Sequence, residues 1–440
     1  MKRIYLDYAA SSSVAPEVER AMRPYFLKKF GNAGSLHSFG QNAIAALDQS
    51  REIIANAIGA DFREIIFTGS ATESNNLALR GTVQRFKIDD LRFKNDRFIN
   101  HKSKFLNPRI IVSAIEHESV LETAHDLEKE GIEVIYLPVS KKGIVDLKKL
   151  KESLNERTVL VSVMYGNNEI GTIQPIKEIA DIIKGFRVSG LGSRVKKSLN
   201  PSDYTLYPLL HTDAVQAFQF LDCDVSRLGI DMMTLSGHKI YGPKGVGALF
   251  VRNKRQETRD KGKTTNFKNI SNLEPRTLNL QQLVSPIVVG GGQEFGMRSG
   301  TENIPLIVGF AKAVELVSNS RELENKRISK LRDYFWRGIK KIYPKSEWNG
   351  DTKNILPNFL NVYFPDYEAE ELLVRFDLAG LAVSAGSACS ARSSEPSRGI
   401  EALGLKAKQS SRSIRFTLGR PTQKKDIDTA IKVMKNVIKK

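Results

Sequence analysis

The chain has 440 residues, 41% of them hydrophobic, which is enough to bury the core of a large enzyme or of two to three domains. Runs of about 18 apolar residues are absent from the sequence, which excludes a transmembrane helix and predicts no membrane partner. Two cysteines exclude a disulfide framework, and six histidines without metal-site spacing predict no metal. The N-terminus reaches an acid at Asp7 without an apolar stretch, so we expect no signal peptide and a cytoplasmic location.

The formal net charge of +18 is concentrated in three polar segments. Segments 85–108, 184–201 and 252–276 carry +4, +5 and +5, which leaves +4 for all other residues. Solvated loops are the first interpretation of these segments, and an anionic partner such as RNA or an acidic protein is the alternative. No RNP or GXXG motif accompanies the basic segments.

Short runs rich in Ile and Val alternate with helical patterns between about residues 64 and 251. The predicted strands are 64–68, 109–113, 134–138, 158–164, 209–213, 232–236 and 247–251. Most are apolar on both faces, as buried parallel strands are. A helix such as 119–130, closed by Gly131, is typical of the stretches between them. This alternation predicts a large α/β domain over residues 16–320, with a mainly parallel sheet flanked by helices.

The pattern changes after about residue 320. The predicted elements are helix 320–343, strand 358–363, helix 369–377 and strand 413–418. They predict a smaller α+β domain formed by residues 1–15 and 321–440.

Polar residues follow the predicted strands, and ligands of open α/β sheets bind beyond the carboxyl ends of strands. After strand 64–68, the small-residue turn from Gly69 to Asn75 opens a helix whose N–H groups suit a phosphate, with Thr72 adding a hydroxyl. A capped helix without a ligand is the alternative. His117 could stack on an aromatic cofactor and exchange protons, or could simply lie near a helix cap.

Two later strand ends add a carboxylate and an amine. Asp213 needs a cation such as a protonated pyridine nitrogen, unless it is an exposed turn residue. Lys239 can form an imine with an aldehyde, with Ser236 and His238 beside it as phosphate donors. A solvated lysine is the alternative for Lys239 taken alone. Together the strand-end groups predict a pyridoxal-phosphate site.

The last third of the chain bears on the reaction. Cys389 lies in a small-residue, loop-forming stretch near Arg392, which favours an accessible thiolate over a buried cysteine. Cys223 has acidic neighbours that would raise its pKa, and we interpret it as an ordinary structural cysteine. Arg415 lies within an apolar strand and needs an anion, which a bidentate substrate carboxylate would supply.

Nearly the whole chain resembles the group I (NifS/IscS-type) cysteine desulfurases, which are class V, fold-type I pyridoxal-phosphate enzymes. The motifs that carry the resemblance are Thr72-Glu-Ser-Asn-Asn-Leu-Ala, Glu116-His117, Asn167-Asn168-Glu-Ile-Gly, Asp213-Ala-Val-Gln216, Ser236-Gly-His-Lys239, Arg298-Ser-Gly-Thr301, Gly386-Ser-Ala-Cys389 and Ser413-Ile-Arg415-Phe.

The resemblance implies a role for each matching residue. Lys239 would carry pyridoxal 5'-phosphate as an imine and move the substrate Cα proton. Asp213 would pair with the ring nitrogen, Gln216 with the ring hydroxyl, and His117 would stack on the ring and assist proton transfer. The groups implied to hold the phosphate are Ala71, Thr72, Ser236, His238 and Thr301 of the partner subunit. Asn168 and Arg415 would bind the substrate carboxylate, and Cys389 would take the sulfur as a persulfide.

The function implied is therefore the conversion of L-cysteine to L-alanine by a homodimer. The sulfur would pass to acceptor proteins such as an iron–sulfur scaffold or a tRNA-thiolation relay. A selenocysteine lyase or another class V lyase or aminotransferase is the alternative on the same fold. A non-catalytic RNA-binding or scaffold protein is disfavoured, because such a protein would not need to keep Lys239, Asp213, His117, Cys389 and Arg415 together.

Overall fold

The computed structural model describes residues 3–94, 107–194, 207–253, 283–386, 401–405 and 407–438. The strands, in chain order, are β1 (Ile4–Tyr5), β2 (Ile65–Thr68), β3 (Arg109–Ser113), β4 (Glu133–Leu137), β5 (Thr158–Ser162), β6 (Leu209–Asp213), β7 (Met232–Ser236), β8 (Gly247–Val251), β9 (Glu347–Trp348), β10 (Phe359–Tyr363), β11 (Leu381–Ala382) and β12 (Ser413–Thr417). The helices are α1 (Pro16–Leu27), α2 (Ser38–Ile58), α3 (Ala71–Lys94), α4 (Glu118–Lys129), α5 (Leu147–Ser153), α6 (Ile176–Arg194), α7 (Val225–Leu228), α8 (Ile304–Ile342), α9 (Ala369–Leu378), α10 (Ala407–Ser410) and α11 (Lys424–Ile438).

A seven-stranded sheet in the order β2-β8-β7-β6-β5-β3-β4 forms the centre of the molecule. β8 runs antiparallel to both of its neighbours, and the other adjacent strands are parallel. Every residue of β2, β5, β6, β7 and β8 is buried, because helices cover both faces of the sheet. The prediction of a mainly parallel α/β sheet is confirmed, and no predicted strand boundary in it shifts by more than two residues.

The C-terminal part of the chain packs around its own apolar core. Its antiparallel sheet has the order β12-β10-β9, and β1 pairs in parallel with β11 beside it. The first residues of the chain thus join this core through Ile4 and Leu6, which are buried among residues of β10, β12 and α11. The placement of residues 1–15 with the smaller domain stays a prediction that these contacts support.

Helix α8 was predicted to begin at residue 320 but begins at Ile304, so that boundary is wrong. The Asn303 side chain caps the helix by accepting from the Leu306 N–H, and Pro305 lies in its first turn. The first half of α8 packs on the large core, and its second half buries Phe335 and Ile339 in the small core. The predicted domain boundary after residue 320 therefore lies inside α8.

Within the described ranges, no helix is both long and apolar enough to cross a membrane.

Candidate active site

The start of α3 lies against the carboxyl end of the sheet. Gly247 pairs with Thr68 of β2 on one side and with Ser236 of β7 on the other, so these strand ends are level. A Cβ on Gly247 would lie 2.7 Å from the Ser70 carbonyl carbon and 2.9 Å from Ala71 N. Glycine is required here because the helix backbone approaches the sheet so closely.

This close approach brings three of the predicted phosphate groups to one place. Ala71 and the exposed Thr72 open α3, and the close approach of Gly247 to Ala71 N puts this helix start next to the buried Ser236. A helix N-terminus directs N–H groups and a positive dipole at an anion. The same turn is braced by Glu73, which accepts from Gly69 N–H at 2.9 Å and from Arg298 Nε at 2.7 Å.

His238 follows Ser236 and presents an unsatisfied ring nitrogen. Its Nε2 atom is buried, without a hydrogen-bond partner among the described residues. Burial, with the charges of Lys239 and Lys244, lowers the pKa of His238 to about 4, so the ring is neutral at pH 7. A buried polar atom without a partner is unusual in a folded protein, and it suits a bound polar ligand.

Asp213 ends β6 in a network of hydrogen bonds. Its Oδ1 accepts from Val215 N–H at 2.9 Å, and its Oδ2 accepts from Asn75 Nδ2 at 2.8 Å. Asn75 Nδ2 also donates to Ser119 Oγ at 2.8 Å, and that hydroxyl lies 2.9 Å from His117 Nδ1. Burial lowers the pKa of His117, and the charge of Asp213 opposes that shift. The structure thus joins the predicted ring-nitrogen partner to the predicted stacking residue.

Lys239 is half-buried and meets the N-terminal segment of the chain. Its Nζ donates to the carbonyl oxygens of Ala9 at 2.6 Å and Ala10 at 2.9 Å. Gln216 Nε2 donates to the same Ala9 oxygen at 3.0 Å. Lys239, implied to bind the cofactor aldehyde, and Gln216, implied to bind the ring hydroxyl, are therefore neighbours. Both donate to the Ala9 oxygen.

Arg415 and Asn168, the implied carboxylate site, are also brought together. Arg415 is 1% exposed, and its Nη1 donates to the main-chain oxygen of Asn168 at 2.8 Å. The anion that Arg415 was expected to need is present in the chain itself, since Nη2 donates to Asp7 Oδ1 at 2.8 Å. Asn167 builds the turn beneath, accepting from Glu169 and Ile170 N–H groups.

Glu116 lies behind His117 as a fully buried carboxyl group. Its Oε1 accepts from Ser113 Oγ at 2.7 Å and from Met164 N–H at 2.6 Å, which ties the ends of β3 and β5 together. Burial raises the pKa of Glu116 to about 8, and the nearby Asp213 charge adds to that effect. Glu116 is therefore mostly protonated at pH 7.

Thr301 is exposed, as a residue offered to a partner subunit would be. The segment before it is anchored by a buried ion pair in which Arg51 Nη1 and Glu294 Oε2 lie 2.7 Å apart. Glu294 also accepts from Phe67 N–H of β2 at 2.8 Å. Glu294 and Phe295 have φ values of 50° and 59°, a left-handed conformation that costs free energy in non-glycine residues.

Several predicted features lie outside the described residues. Cys389 and Arg392 are among them, as are most of the three basic segments. The described parts of two segments, 85–94 and 184–194, are helical continuations of α3 and α6.

The prediction for Cys223 is confirmed, since that thiol is fully buried and burial raises its pKa to about 12. Groups of three or more potential metal ligands do not occur in the described part of the chain.

The sequence interpretation missed the contribution of residues 7–12 to the site. Asp7, Ala9 and Ala10 contact Arg415 and Lys239, and Ser12 Oγ donates to the His238 carbonyl oxygen at 2.8 Å. The contacts of Ala9 and Ala10 are made by main-chain oxygens, which no sequence pattern identifies. Asp7 contributes a charged side chain among apolar neighbours, and it could have been recognised as a candidate partner for a buried cation.

The residues present fit pyridoxal 5'-phosphate. A helix N-terminus, a neutral His238 with an unpartnered nitrogen, a buried carboxylate at Asp213 and the Lys239 amine surround one edge of the sheet. These are the groups that a phosphate, a pyridine nitrogen and an aldehyde require.

Comparisons with known proteins find similarity over nearly the whole chain. The family model for "Aminotransferase class-V" matches residues 4–189 and 207–429. The chain is 40% identical over 441 residues to "Cysteine desulfurase IscS" of Dictyoglomus turgidum, covering 100% of this chain and 96% of that protein. Among solved structures, a "NIFS-LIKE PROTEIN" superimposes with a TM-score of 0.79 at 29% identity, covering 99% of both chains. A structure described as "SspA in complex with cysteine" has a TM-score of 0.70 at 33% identity, covering 94% of this chain and 98% of that one.

Proposed function

Because the chain belongs to the class-V aminotransferase family, and within it to the IscS-type cysteine desulfurases, we propose that it moves the sulfur of L-cysteine to Cys389 and releases L-alanine. The observation that carries this proposal is the meeting of Lys239, Gln216, Asp213 and His117 at one edge of the sheet. Arg415 reaches this region from β12 of the smaller sheet and donates to the main-chain oxygen of Asn168, where an amino-acid carboxylate would bind.

The residues that would hold pyridoxal 5'-phosphate divide into three groups. Ala71, Thr72, Ser236 and His238 would bind the phosphate, Asp213 and Gln216 would bind the ring, and Lys239 would bind the aldehyde. When bound, the cofactor supplies an electron sink that makes the Cα proton of an attached amino acid acidic. Asp213 would hold the ring nitrogen in a fixed position, because its two oxygens accept from Asn75 Nδ2 and Val215 N–H.

Side chains of the protein orient the substrate and transfer its protons. Arg415 and Asn168 orient the substrate through its carboxylate, and the Lys239 amine removes the Cα proton. His117 has a pKa lowered by burial, so its neutral ring can accept a proton at the substrate.

Cys389 is the nucleophile of the sulfur transfer. Its thiolate attacks the substrate sulfur, so a sulfur–sulfur bond forms while the substrate carbon–sulfur bond breaks. The electron pair of the broken bond returns to carbon, which takes up a proton and leaves as alanine. Cys389 keeps the transferred sulfur as a persulfide, and a thiol acceptor or reductant later removes it.

The test is incubation of the cofactor-loaded protein with L-cysteine. We expect one alanine per sulfur transferred and a mass increase of about 32 Da, one sulfur atom, on the peptide that contains Cys389. Cys389→Ser should lose this transfer. Cys223→Ser is the matched control and should keep it, because that thiol is buried with its pKa raised to about 12. Full sulfide release by Cys389→Ser would contradict the proposed role.

The working assembly is proposed to be a homodimer. Exposed Thr301 would complete the phosphate site of a second copy. Large apolar side chains are also exposed along residues 26–39, where Leu27 is 75% and Leu36 is 92% exposed. Patches of this kind mark protein interfaces. Light scattering should give twice the 49.2 kDa chain mass, and a monomer with full activity would contradict the proposal.

The sulfur acceptor follows from the same proposal. An iron–sulfur scaffold protein or a tRNA-thiolation relay would take the persulfide sulfur from Cys389, in the cytoplasm. Binding of RNA by the basic segments would appear as an affinity that falls steeply with salt.

A further inference from the structure

Arg415 is a buried cation that the resting protein must neutralise. It lies in the middle of β12 with its side chain 2% exposed. Removing a charge from water is unfavourable unless a counter-ion compensates for it. The main-chain oxygen of Asn168 supplies one hydrogen bond, but the charge itself is balanced by Asp7, whose Oδ1 lies 2.8 Å from Arg415 Nη2.

The two members of this pair differ in how firmly they are held. Arg415 is fixed within a strand, and its Nη1 is held by the main-chain oxygen of Asn168 at 2.8 Å. Asp7 follows the two-residue strand β1, and its side chain is 16% exposed, eight times the fraction of Arg415. The backbone around Asp7 is anchored, because Thr417 N–H donates to the Leu6 oxygen at 2.8 Å and Tyr5 Oη donates to the Asp7 oxygen at 2.9 Å. The Asp7 carboxylate can therefore swing away while the main chain stays in place.

An arriving carboxylate competes directly with Asp7. Two carboxylates close to one buried guanidinium repel each other, and the repulsion is strong where water is excluded. Asp7 can yield to the arriving carboxylate because its own side chain has access to solvent. Arg415 is itself sealed from solvent at 1% exposure, so a ligand reaches the guanidinium by replacing a group already on it.

We propose that Asp7 is the resting counter-ion of Arg415, and that the substrate carboxylate binds by displacing it. This deepens the proposed function and rests on it. Asp7 is then a specificity-determining residue. A ligand without a carboxylate cannot take over the neutralisation of Arg415, so it cannot displace Asp7. The pairing also sets affinity, since substrate binds the fraction of protein in which Arg415 is released from Asp7.

Asp7→Asn tests the displacement in the holoenzyme. The amide keeps the size of the side chain but no longer competes as an anion. If Arg415 is released about one-tenth of the time, the KM for L-cysteine and the inhibition constant of L-alanine should both fall about tenfold. The inhibition constant of cysteamine, which has the thiol and amine but no carboxylate, should not change.

Two further variants keep the result interpretable. Asp7→Ser removes any amide contact with Arg415 and should behave as Asp7→Asn does. Asp222→Asn makes the same change in an exposed ion pair with Arg227 and should leave every constant unaltered. Unchanged or weaker L-alanine binding in folded Asp7→Asn and Asp7→Ser would overturn the inference. L-Alanine affinity can be measured by calorimetry without turnover, so a wild-type protein that fails to release sulfur would count against the proposed function alone.

Discussion

Asn75 Nδ2 donates two hydrogen bonds of 2.8 Å, one to Asp213 Oδ2 and one to Ser119 Oγ. Since Ser119 Oγ also lies 2.9 Å from His117 Nδ1, a single amide links the residue expected to pair with the ring nitrogen of the cofactor to the residue expected to stack on its ring. Asn75 is a positioning residue, and it acts through Asp213 and Ser119.

Asn75→Ala should weaken catalysis without removing any group expected to touch the substrate. Loss of the hydrogen bond leaves the buried Asp213 Oδ2 short of a donor, at a cost of about 1–3 kcal/mol. We expect kcat to fall about ten- to hundredfold and the cofactor to dissociate more readily, as followed by its visible absorbance. Asn76→Ala is the adjacent control, because Asn76 Nδ2 donates only to the Thr72 carbonyl of its own helix among the described contacts. Equal losses in both variants would contradict a special role for Asn75.

Lys239→Ala should lose the covalent attachment of the cofactor. Wild-type protein reduced with borohydride should carry the cofactor on the peptide containing Lys239, and the variant should carry none there. Turnover should fall by at least about a hundredfold, as for loss of a general acid–base group. Lys148→Ala, an exposed lysine in α5, should retain both the label and the activity. Labelling at another lysine in the wild type would refute the assignment.

Glu116 should make the stability of the fold depend on pH. Its pKa is raised from 4.5 to about 8 by burial, so the folded protein holds a proton that the unfolded chain has already lost. The stability that this carboxyl contributes is complete below about pH 4.5 and is lost as the pH rises through about 8. Glu116→Gln should therefore gain stability relative to the wild type as the pH rises from 5 to 9, by about 4 kcal/mol over that range. Thermal unfolding across this range measures it, with the exposed Glu156→Gln as control. A constant difference between the two proteins would show that Glu116 is charged in the fold.

Removing one member of the buried Arg51–Glu294 ion pair should lower the free energy of unfolding substantially. Glu294→Ala leaves a buried guanidinium unpaired and removes the acceptor of Phe67 N–H, so we expect a loss of about 3–5 kcal/mol. Glu19→Ala breaks an exposed pair with Arg23 at 2.9 Å and should cost less than about 1 kcal/mol. Urea unfolding provides both values. Similar small losses in the two variants would mean that Glu294 does not anchor its segment.

The sheet and the strand-end residues could be predicted because both depend on local pattern. β6 begins with two leucines and ends in Asp213, and β7 is mostly apolar and ends in Ser236, so the sequence marks where each apolar run gives way to a polar group. Parallel order then places those ends on one edge.

The contacts of the N-terminal segment could not be predicted in this way. Lys239 meets Ala9 across 230 residues, and Arg415 meets Asp7 across 408 residues. No periodicity reports such separations, and the acceptors on Ala9 and Ala10 are backbone atoms. The early start of α8 was more accessible, since an Asn303 cap followed by Pro305 is a recognised helix-start signal.

The continuous α8 limits how the molecule can change shape. Its 39 residues span about 58 Å and are built into both apolar cores. Swinging one core against the other would require breaking backbone hydrogen bonds along several turns of that helix. We therefore expect small side-chain movements, such as rotation of the Asp7 carboxylate, to limit the rates of substrate entry and product exit. A hinge motion of one core relative to the other is not expected.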